Sequence, residues 1–382
     1  MRILCVTSAY PTSVNTIAGN FVKAHVTALR NEGYTVDVIA TNLFSVRDLF
    51  KWLKFKLNPD AEADCYFLAS AINWWPFGPW FHQFWFTKTI GKAIKNYLKE
   101  KGNPDIIHAH FILWAGYAST KSAALKTIPL VVTEHSSLYF ENKVTLVEMI
   151  VAGETLKQAA AVICPSEFLK NSITKNISGY ESKMKLIPNI AENLFFEKYD
   201  FSLKENIIIS VGRMVKTKGF DTLIDAFSKL NHAAEYKLVL VGDGVELDPL
   251  KLQVKSLGLL DRVIFTGTID KKELVQWIRK SKIFVSCSHF ETFGVAIAES
   301  MAAGTPVLVT NVGAPSGFVI PGTGEICLVG DVSDTVSKLD SMIYNYKKFD
   351  LNQIRAYALR SFNESAVAVQ TGALYQKILQ NL

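Results

Sequence analysis

The feature that most constrains this chain is a rhythm. A short apolar run, a loop and an amphipathic stretch follow one another, stop once, and begin again. The runs Ile3–Val6, Val36–Ile39, Leu130–Val132 and Val162–Cys164 are almost wholly apolar, as strands covered on both faces are. Between them lie helical stretches such as Phe21–Asn31, closed by Gly33 at a helix-end position. Such alternation predicts a parallel sheet with helices on both sides.

The rhythm breaks after Leu186-Ile187-Pro188-Asn189, and Ala191–Glu205 carries charge and aromatics without a period, which reads as a linker. It resumes with strand Ile207–Val211, helix Phe220–Leu230, strand Lys237–Val241 and helix Glu246–Leu257. Strand Val263–Thr266, helix Lys272–Lys280, strand Ile283–Cys287, helix Phe293–Ala303 and strand Pro306–Val309 follow. The expected fold is α/β, with two Rossmann-like, doubly wound parallel-sheet domains facing a central cleft. The domains are 1–190 and 206–362, and a last helix near 363–382 packs back on the first. In such sheets ligands bind beyond the carboxyl ends of the strands.

At 382 residues the chain suits two domains, and 49% hydrophobic residues exclude a disordered chain. A net charge of +6 without a dense basic run excludes nucleic acid as the expected partner. The five cysteines are scattered, with no CxxC pair, and read as free thiols of a reducing compartment. Met1–Val6 reads as a strand rather than a charged leader, and no apolar run reaches the ~18 residues of a membrane span. The expected location is cytoplasmic, with peripheral attachment to the inner face of the cell membrane left open.

The first strand-to-helix turn, Thr7-Ser8-Ala9-Tyr10 to Gly19-Asn20, lacks G-x-G-x-x-G, and no P-loop sequence is present. Both absences count against a dehydrogenase or a P-loop NTPase. Gly19 either lets a phosphate or sugar approach the helix start or simply eases the loop into the helix. In Ile106-Ile107-His108-Ala109-His110 the two histidines share a face, and His110 stands at the strand's carboxyl end. His135 is placed likewise after Leu130–Thr133. A binding role and a structural one both stand; metal ligation is disfavoured because no third ligand lies at a recognisable spacing.

Asn73–Phe86 is dense in aromatics, and its Pro and Gly residues argue against a continuous helix. A helix then sets Ile90, Ile94, Tyr97 and Leu98 against Lys88, Lys92, Lys95, Lys99 and Lys101. The segment Trp74–Lys101 suits a membrane surface; the competing reading is an aromatic core beneath a solvated lysine face.

The second half speaks more plainly. In Gly212-Arg213-Met214-Val215-Lys216-Thr217-Lys218-Gly219-Phe220 two cations, Arg213 and Lys218, span one short loop after a strand. They can balance charge growing on a departing diphosphate; Lys216 reads as a surface cation. Later, Glu291 lies in a loop and Glu299 about two turns into the following helix, eight residues or roughly 12 Å apart. The N–H groups of Phe293, Gly294 and Val295 at the helix start suit a diphosphate between two hydroxyl-binding carboxylates. The bland alternative is a solvated loop acid and a helix acid on a polar face.

Taken together these residues resemble the retaining glycosyltransferases of family 4, of GT-B fold. The resemblance rests on Glu291…Glu299, Gly212-Arg213…Lys218-Gly219-Phe220 and Ala302-Ala303-Gly304-Thr305-Pro306-Val307. Gly19-Asn20-Phe21-Val22 and Ile107-His108-Ala109-His110 add support. It implies that Arg213 and Lys218 bind the donor diphosphate, Glu299 the ribose and Glu291 hydroxyls of the transferred sugar. It also implies that Gly19 closes the donor site and that His110 lies near the reacting sugar. The implied reaction is metal-independent, needs no cofactor beyond a nucleotide-diphosphate sugar as co-substrate, and retains anomeric configuration by front-face displacement. Apart from the resemblance, the expected acceptor is a glycan or, on the strength of Trp74–Lys101 alone, a lipid-linked sugar, in cell-surface polysaccharide or glycolipid synthesis, with His135 on the acceptor side. One departure stands out: the family's usual Gly-Gly-x-x-Glu is replaced by Gly313-Ala314-Pro315-Ser316-Gly317. Competing readings are a GT-B nucleotide-sugar 2-epimerase, which needs no acceptor, and a non-catalytic nucleotide-sugar or glycan binder. The binder has no use for cations that stabilise a leaving group.

Overall fold

The structure, a computed structural model, describes residues 1–11, 19–45, 65–73, 78–122, 127–140, 144–231 and 235–381. The chain divides into two compact units, Met1–Asn189 with Val367–Leu382, and Ile190–Ala366.

In the first unit the strands are β1 (Arg2–Thr7), β2 (Thr35–Ser45), β3 (Phe67–Asn73), β4 (Ile106–His110), β5 (Leu130–Thr133), β6 (Ala161–Cys164) and β7 (Met184–Leu186). The helices are α1 (Asn20–Asn31), α2 (Gly78–Lys101), α3 (Tyr117–Thr120), α4 (Leu146–Gln158) and α5 (Glu167–Asn176). The seven strands form one parallel sheet in the order β3-β2-β1-β4-β5-β6-β7. Every residue of β4, β5 and β6 is buried, as the apolar runs require. Helix α1 ends on a Schellman pair, Tyr34 N–H to Leu29 C=O at 3.1 Å and Gly33 N–H to Arg30 C=O at 3.0 Å.

The second unit holds β8 (Glu205–Val211), β9 (Lys237–Val241), β10 (Val263–Gly267), β11 (Ser281–Ser286), β12 (Val307–Thr310) and β13 (Gly324–Cys327). Its helices are α6 (Phe220–Ser228), α7 (Leu247–Ser256), α8 (Lys271–Lys280), α9 (Val295–Ala302), α10 (Val332–Tyr344) and α11 (Leu351–Phe362). The order β10-β9-β8-β11-β12-β13 is again parallel throughout. Strand alternation divides the interior in two: Ile207, Ile209, Val239 and Val307 join one cluster, Ile208, Leu238, Leu240 and Leu308 the other. The chain ends in α12 (Glu364–Gln380), whose residues from Val367 onward return to the first unit.

Two expectations need correction. Residues 191–205 are not a free linker: Ala191, Phe195 and Phe196 are buried in a core cluster of the second unit, and Ala191 N–H bonds Phe362 C=O at 2.8 Å. Short 3₁₀ turns at Asn193–Phe196 and Phe201–Leu203 explain the missing period. Nor do Gly78 and Pro79 prevent a helix. They sit in the first turn of α2, where proline's missing N–H costs nothing, and α2 runs unbroken through Gly91 to Lys101. Trp74–Phe77 lie outside the described residues.

All five cysteines are free, and Cys5, Cys164, Cys287 and Cys327 are buried. Burial pushes the Cys164 thiol up to about 12.

Candidate active site

In each sheet the strand order reverses beside the first strand, and the second unit shows what that produces. β8 and β11 are neighbours, so the loops at their carboxyl ends, 212–219 and 287–294, run side by side. His289 N–H donates to Thr217 C=O at 2.9 Å. Gly219 has φ +62°, and a Cβ there would lie 2.0 Å from the Cys287 carbonyl oxygen. Only glycine permits this approach, which draws Lys218 toward the second loop.

Lys218 Nζ forms an ion pair with Glu291 Oε2, both side chains being about four-fifths buried, at 23% and 17% exposure. Two residues found by spacing alone are therefore in contact. Arg213 is exposed and has no side-chain partner among the described residues. Lys216 pairs with Asp221 at 2.7 Å, as a surface cation does.

Helix α9 begins at Val295 with Gly294 as its N-cap, at φ 87°. The N–H groups of Phe293, Gly294 and Val295 bond no acceptor among the described residues. The Phe293 ring belongs to the core, against Phe318 and Phe362 at 5.3 and 5.8 Å, so only its backbone could meet a ligand. Glu299, in the second turn, is 2% exposed. Its Oε1 holds Lys271 Nζ at 2.5 Å, and Lys271 also reaches Glu192 at 3.1 Å. Burial raises the Glu299 carboxyl against the pull of Lys271. Burial opposes the Lys271 charge too, but Glu299 and then Glu192 outweigh it, and its pKa rises. The second oxygen of Glu299 makes no hydrogen bond among the described residues. Spacing singled out Glu299 but could not show that a lysine from α8 neutralises it.

Gly313 and Ala314, where the resemblance fails, wrap the loop acid: Ala314 N–H donates to Glu291 C=O at 3.1 Å. The stretch fixes Glu291 through its backbone and supplies no second carboxylate.

In the first unit Gly19 starts α1 at φ +72°, and a Cβ there would meet the Ala9 carbonyl oxygen at 2.2 Å. Its packing alone requires glycine. His110 is 1% exposed at the end of β4. Its Nδ1 lies 3.0 Å from His135 Nε2, so the two predicted histidines meet. His108 and His25, neither of them predicted as site residues, complete a buried cluster. His108 stacks on His110 with centroids 4.6 Å apart, and its nitrogens bond Tyr375 Oη at 2.5 Å and Thr133 Oγ1 at 2.7 Å. Thr371 Oγ1 donates to Val367 C=O at 2.9 Å, so it accepts from His25 Nε2–H at 3.2 Å. Burial lowers all four rings: His25 to about 4, His135 to about 3, and His108 and His110 well below the usual value.

His25, His108 and His110 are the one group among the described residues whose geometry could hold a metal ion, their ring atoms lying within 4.8 Å of one another. The third ligand that spacing could not find thus comes from α1. Both nitrogens of His108 are already hydrogen-bonded, however, which suits a neutral imidazole cluster better than a ligand set.

Sequence reasoning also missed Glu134. Its carboxylate is 1% exposed and accepts from the N–H groups of Ile112, His135 and Ser136 at 2.8, 2.8 and 2.6 Å. It ties the end of β5 to a π-helical segment, Phe111–Gly116, that follows β4. Phe111, directly after His110, has φ 77° and is the non-glycine residue with positive φ among those described. Backbone held in that region costs on the order of 1–3 kcal/mol and marks functional bends. The available signal was an acid placed immediately after an apolar strand.

Two parallel α/β units of this strand order, with a cation, a carboxylate and a helix start gathered at a switch point, define the GT-B class of two-domain proteins. Family models agree in both halves: residues 18–191 match Glycosyltransferase Family 4 and residues 192–358 match Glycosyl transferases group 1. The chain belongs to the family 4-like glycosyltransferases of GT-B fold. It is 26% identical over 300 residues to N-acetyl-alpha-D-glucosaminyl L-malate synthase of Bacillus anthracis, covering 74% of this chain and 77% of that protein. It is 31% identical over 232 residues to alpha-monoglucosyldiacylglycerol synthase of Streptococcus pneumoniae, covering 53% of this chain and 51% of the relative. Among solved structures, Anabaena Alr3699/HepE in complex with UDP superposes with a TM-score of 0.76 at 18% identity, over 99% of this chain and 100% of that one. At that identity the likeness concerns the fold.

Proposed function

We propose that this glycosyltransferase moves a sugar, with retained configuration and without a metal ion, from a nucleotide-diphosphate donor to a glycan or lipid-linked acceptor. The reading is carried by one observation: Lys218 and Glu291 meet at the switch point, beside unpartnered Arg213 and the open start of α9. Lys218, Arg213 and the helix N–H groups are assigned to the diphosphate, where fixed positive charge stabilises the leaving group. Glu291 takes hydroxyls of the transferred sugar, and the free oxygen of Glu299 takes a ribose hydroxyl. As the bond from the anomeric carbon to the diphosphate oxygen breaks, the acceptor oxygen bonds that carbon from the same face. The acceptor's proton passes to the leaving phosphate. Gly19 and His110 are assigned to the donor and reacting sugar, and His135 to the acceptor side.

The UDP complex of the fold neighbour supports a nucleotide-sugar donor, and the diacylglycerol glycolipid in one relative's name supports a lipid-linked acceptor. We place the reaction in the cytoplasm, at the inner face of the membrane. Among the described residues no helix is long and apolar enough to cross a membrane.

The test is a thermal-shift screen of nucleotide-diphosphate sugars, followed by donor-hydrolysis and transfer assays with the stabilising donor. Lys218→Ala should lower kcat/KM by one to three orders of magnitude, about 1–4 kcal/mol in the transition state. Full activity in that variant removes the diphosphate role. Activity should survive EDTA; loss restored by Mn²⁺ refutes metal independence. An altered donor sugar appearing with no acceptor present would instead identify the epimerase.

A further inference from the structure

Helix α2 has two faces of opposite character. Phe86, Ile90, Ala93, Ile94 and Tyr97 are buried in the core of the first unit. On the opposite side Phe84, Lys88, Lys92, Lys95 and Lys99 follow one another at steps of three or four residues, and all five are exposed. None of the four lysines has an ion-pair or hydrogen-bond partner among the described residues. The acid of this helix, Glu100, is held by Tyr66 Oη. A row of cations about 17 Å long, unpaired among the described residues, therefore runs from an exposed phenyl ring toward the helix end.

A second observation lies in α4. Leu146 and Ile150, one turn apart, are 76% and 72% exposed, and Phe84 is 67% exposed. Helices α2 and α4 each lead from one parallel strand to the next, so each runs back against the strands and begins at their carboxyl edge. Their inner faces share one core cluster, which sets both helices on the same side of the sheet. The three exposed apolar side chains thus occupy one rim, at the sheet edge that also carries His110 and His135. The cations extend away from it.

We propose that this face, Phe84 with Leu146 and Ile150 as apolar anchors and Lys88, Lys92, Lys95 and Lys99 as a basic stripe, docks on an anionic phospholipid surface. Charge complementarity selects the lipid headgroups: each lysine near such a surface strengthens binding roughly fivefold. Apolar anchors beside the cations favour a bilayer, whose interface accepts them, over a soluble polyanion, which does not. Docking there would bring the strand ends of this unit to the membrane. The inference extends the proposed reaction, yet its test involves no turnover, so failure of either is read separately.

The experiment is co-sedimentation of the full chain with phosphatidylglycerol–phosphatidylcholine vesicles and with pure phosphatidylcholine, at low and high salt. Wild type should pellet with the anionic vesicles only, less at high salt. Changing all four lysines to Gln should weaken binding about a hundredfold or more, with Tm unchanged because none is paired among the described residues. Phe84→Ser with Leu146→Ser and Ile150→Ser should remove the part of binding that survives high salt. Equal pelleting of wild type and the quadruple variant overturns the proposal. So does soluble heparin retaining the protein as tightly as the vesicles do, with no effect of the Ser changes.

Discussion

The buried histidines make the first unit sensitive to mild acid, and the direction follows from the structure. His25 is held neutral down to about pH 4 and His135 to about 3, against 6.5 for an exposed ring, while burial lowers His108 and His110 well below that value in the same sense. A folded-state pKa below the unfolded one means that the unfolded chain takes up protons first as pH falls. Stability is therefore intact above about pH 6.5 and is lost progressively between there and about pH 3. At about 1.4 kcal/mol per pH unit and group, His25 and His135 account for about 3 and about 5 kcal/mol over their windows. Within pH 4–6 His25 and His135 together give a slope of up to about 3 kcal/mol per pH unit, and His108 and His110 act in the same direction. That is a large part of a domain's usual 5–15 kcal/mol. Glu134, raised by burial, works the other way, but it is one group against four.

Melting curves at pH 8, 7, 6 and 5 are the assay. A domain of this size shifts by roughly 2–4 °C per kcal/mol, so below pH 6 the first unit should lose on the order of 10 °C per pH unit. The second unit has no buried histidine among its described residues and should supply a second, flatter transition. His25→Gln keeps an N–H for Thr371 and deletes one titrating group, so it should make the fall measurably less steep. A melting temperature level from pH 8 to 5, or an unchanged slope in His25→Gln, refutes the reasoning.

Arg213→Ala should leave the melting temperature within about 1 °C, since the side chain is exposed and unpartnered, while lowering kcat/KM at least tenfold; a stability loss without an activity loss contradicts its assignment. Glu291→Gln frees Lys218 from its ion pair, so calorimetry should show nucleoside diphosphate binding several-fold tighter while sugar transfer slows; a fall in both would mean that Lys218 does not meet phosphate. Lys271→Met leaves Glu299 buried beside Glu192 with no cation, and urea unfolding should show a loss of about 3–5 kcal/mol; a change below about 1 kcal/mol argues that Glu299 is already protonated.

Much of the architecture was readable because it is written locally. A parallel strand buried on both faces must be apolar at each position, so β4, β5 and β6 announced themselves, and helix ends such as Gly33 did the same. The loop residues of the second unit were readable for a related reason. Gly212, Arg213, Lys218 and Gly219 fall within one strand-to-helix turn, and Glu291 within another. Once β8 and β11 are adjacent, those turns have nowhere to go but against each other. The linker was misread because its aromatics form 3₁₀ turns, too short to show a period.

What stayed hidden belongs to contacts that no local pattern encodes. His25 sits inside α1 like any polar residue of an amphipathic helix; that it meets His108 and Thr371 depends on a helix more than three hundred residues later in the chain. Lys271 falls just before the helix expected at Lys272–Lys280, and only the approach of the start of α8 to α9 turns it into the counter-charge of Glu299. The bend at Phe111 is hidden more deeply, since it opposes local preference: a β-strand, a phenylalanine and a π-helical turn give no sign of a left-handed backbone. Such a bend persists only if its surroundings over-determine it. Glu134 does so by gripping the backbone one residue beyond it, at Ile112, and the backbone of its own two successors, His135 and Ser136. The strain and its brace therefore specify where His110 and His135 lie. The bend directly follows His110, and one of the two N–H groups gripped after Glu134 is that of His135, so strain and brace flank the two imidazoles that stand 3.0 Å apart.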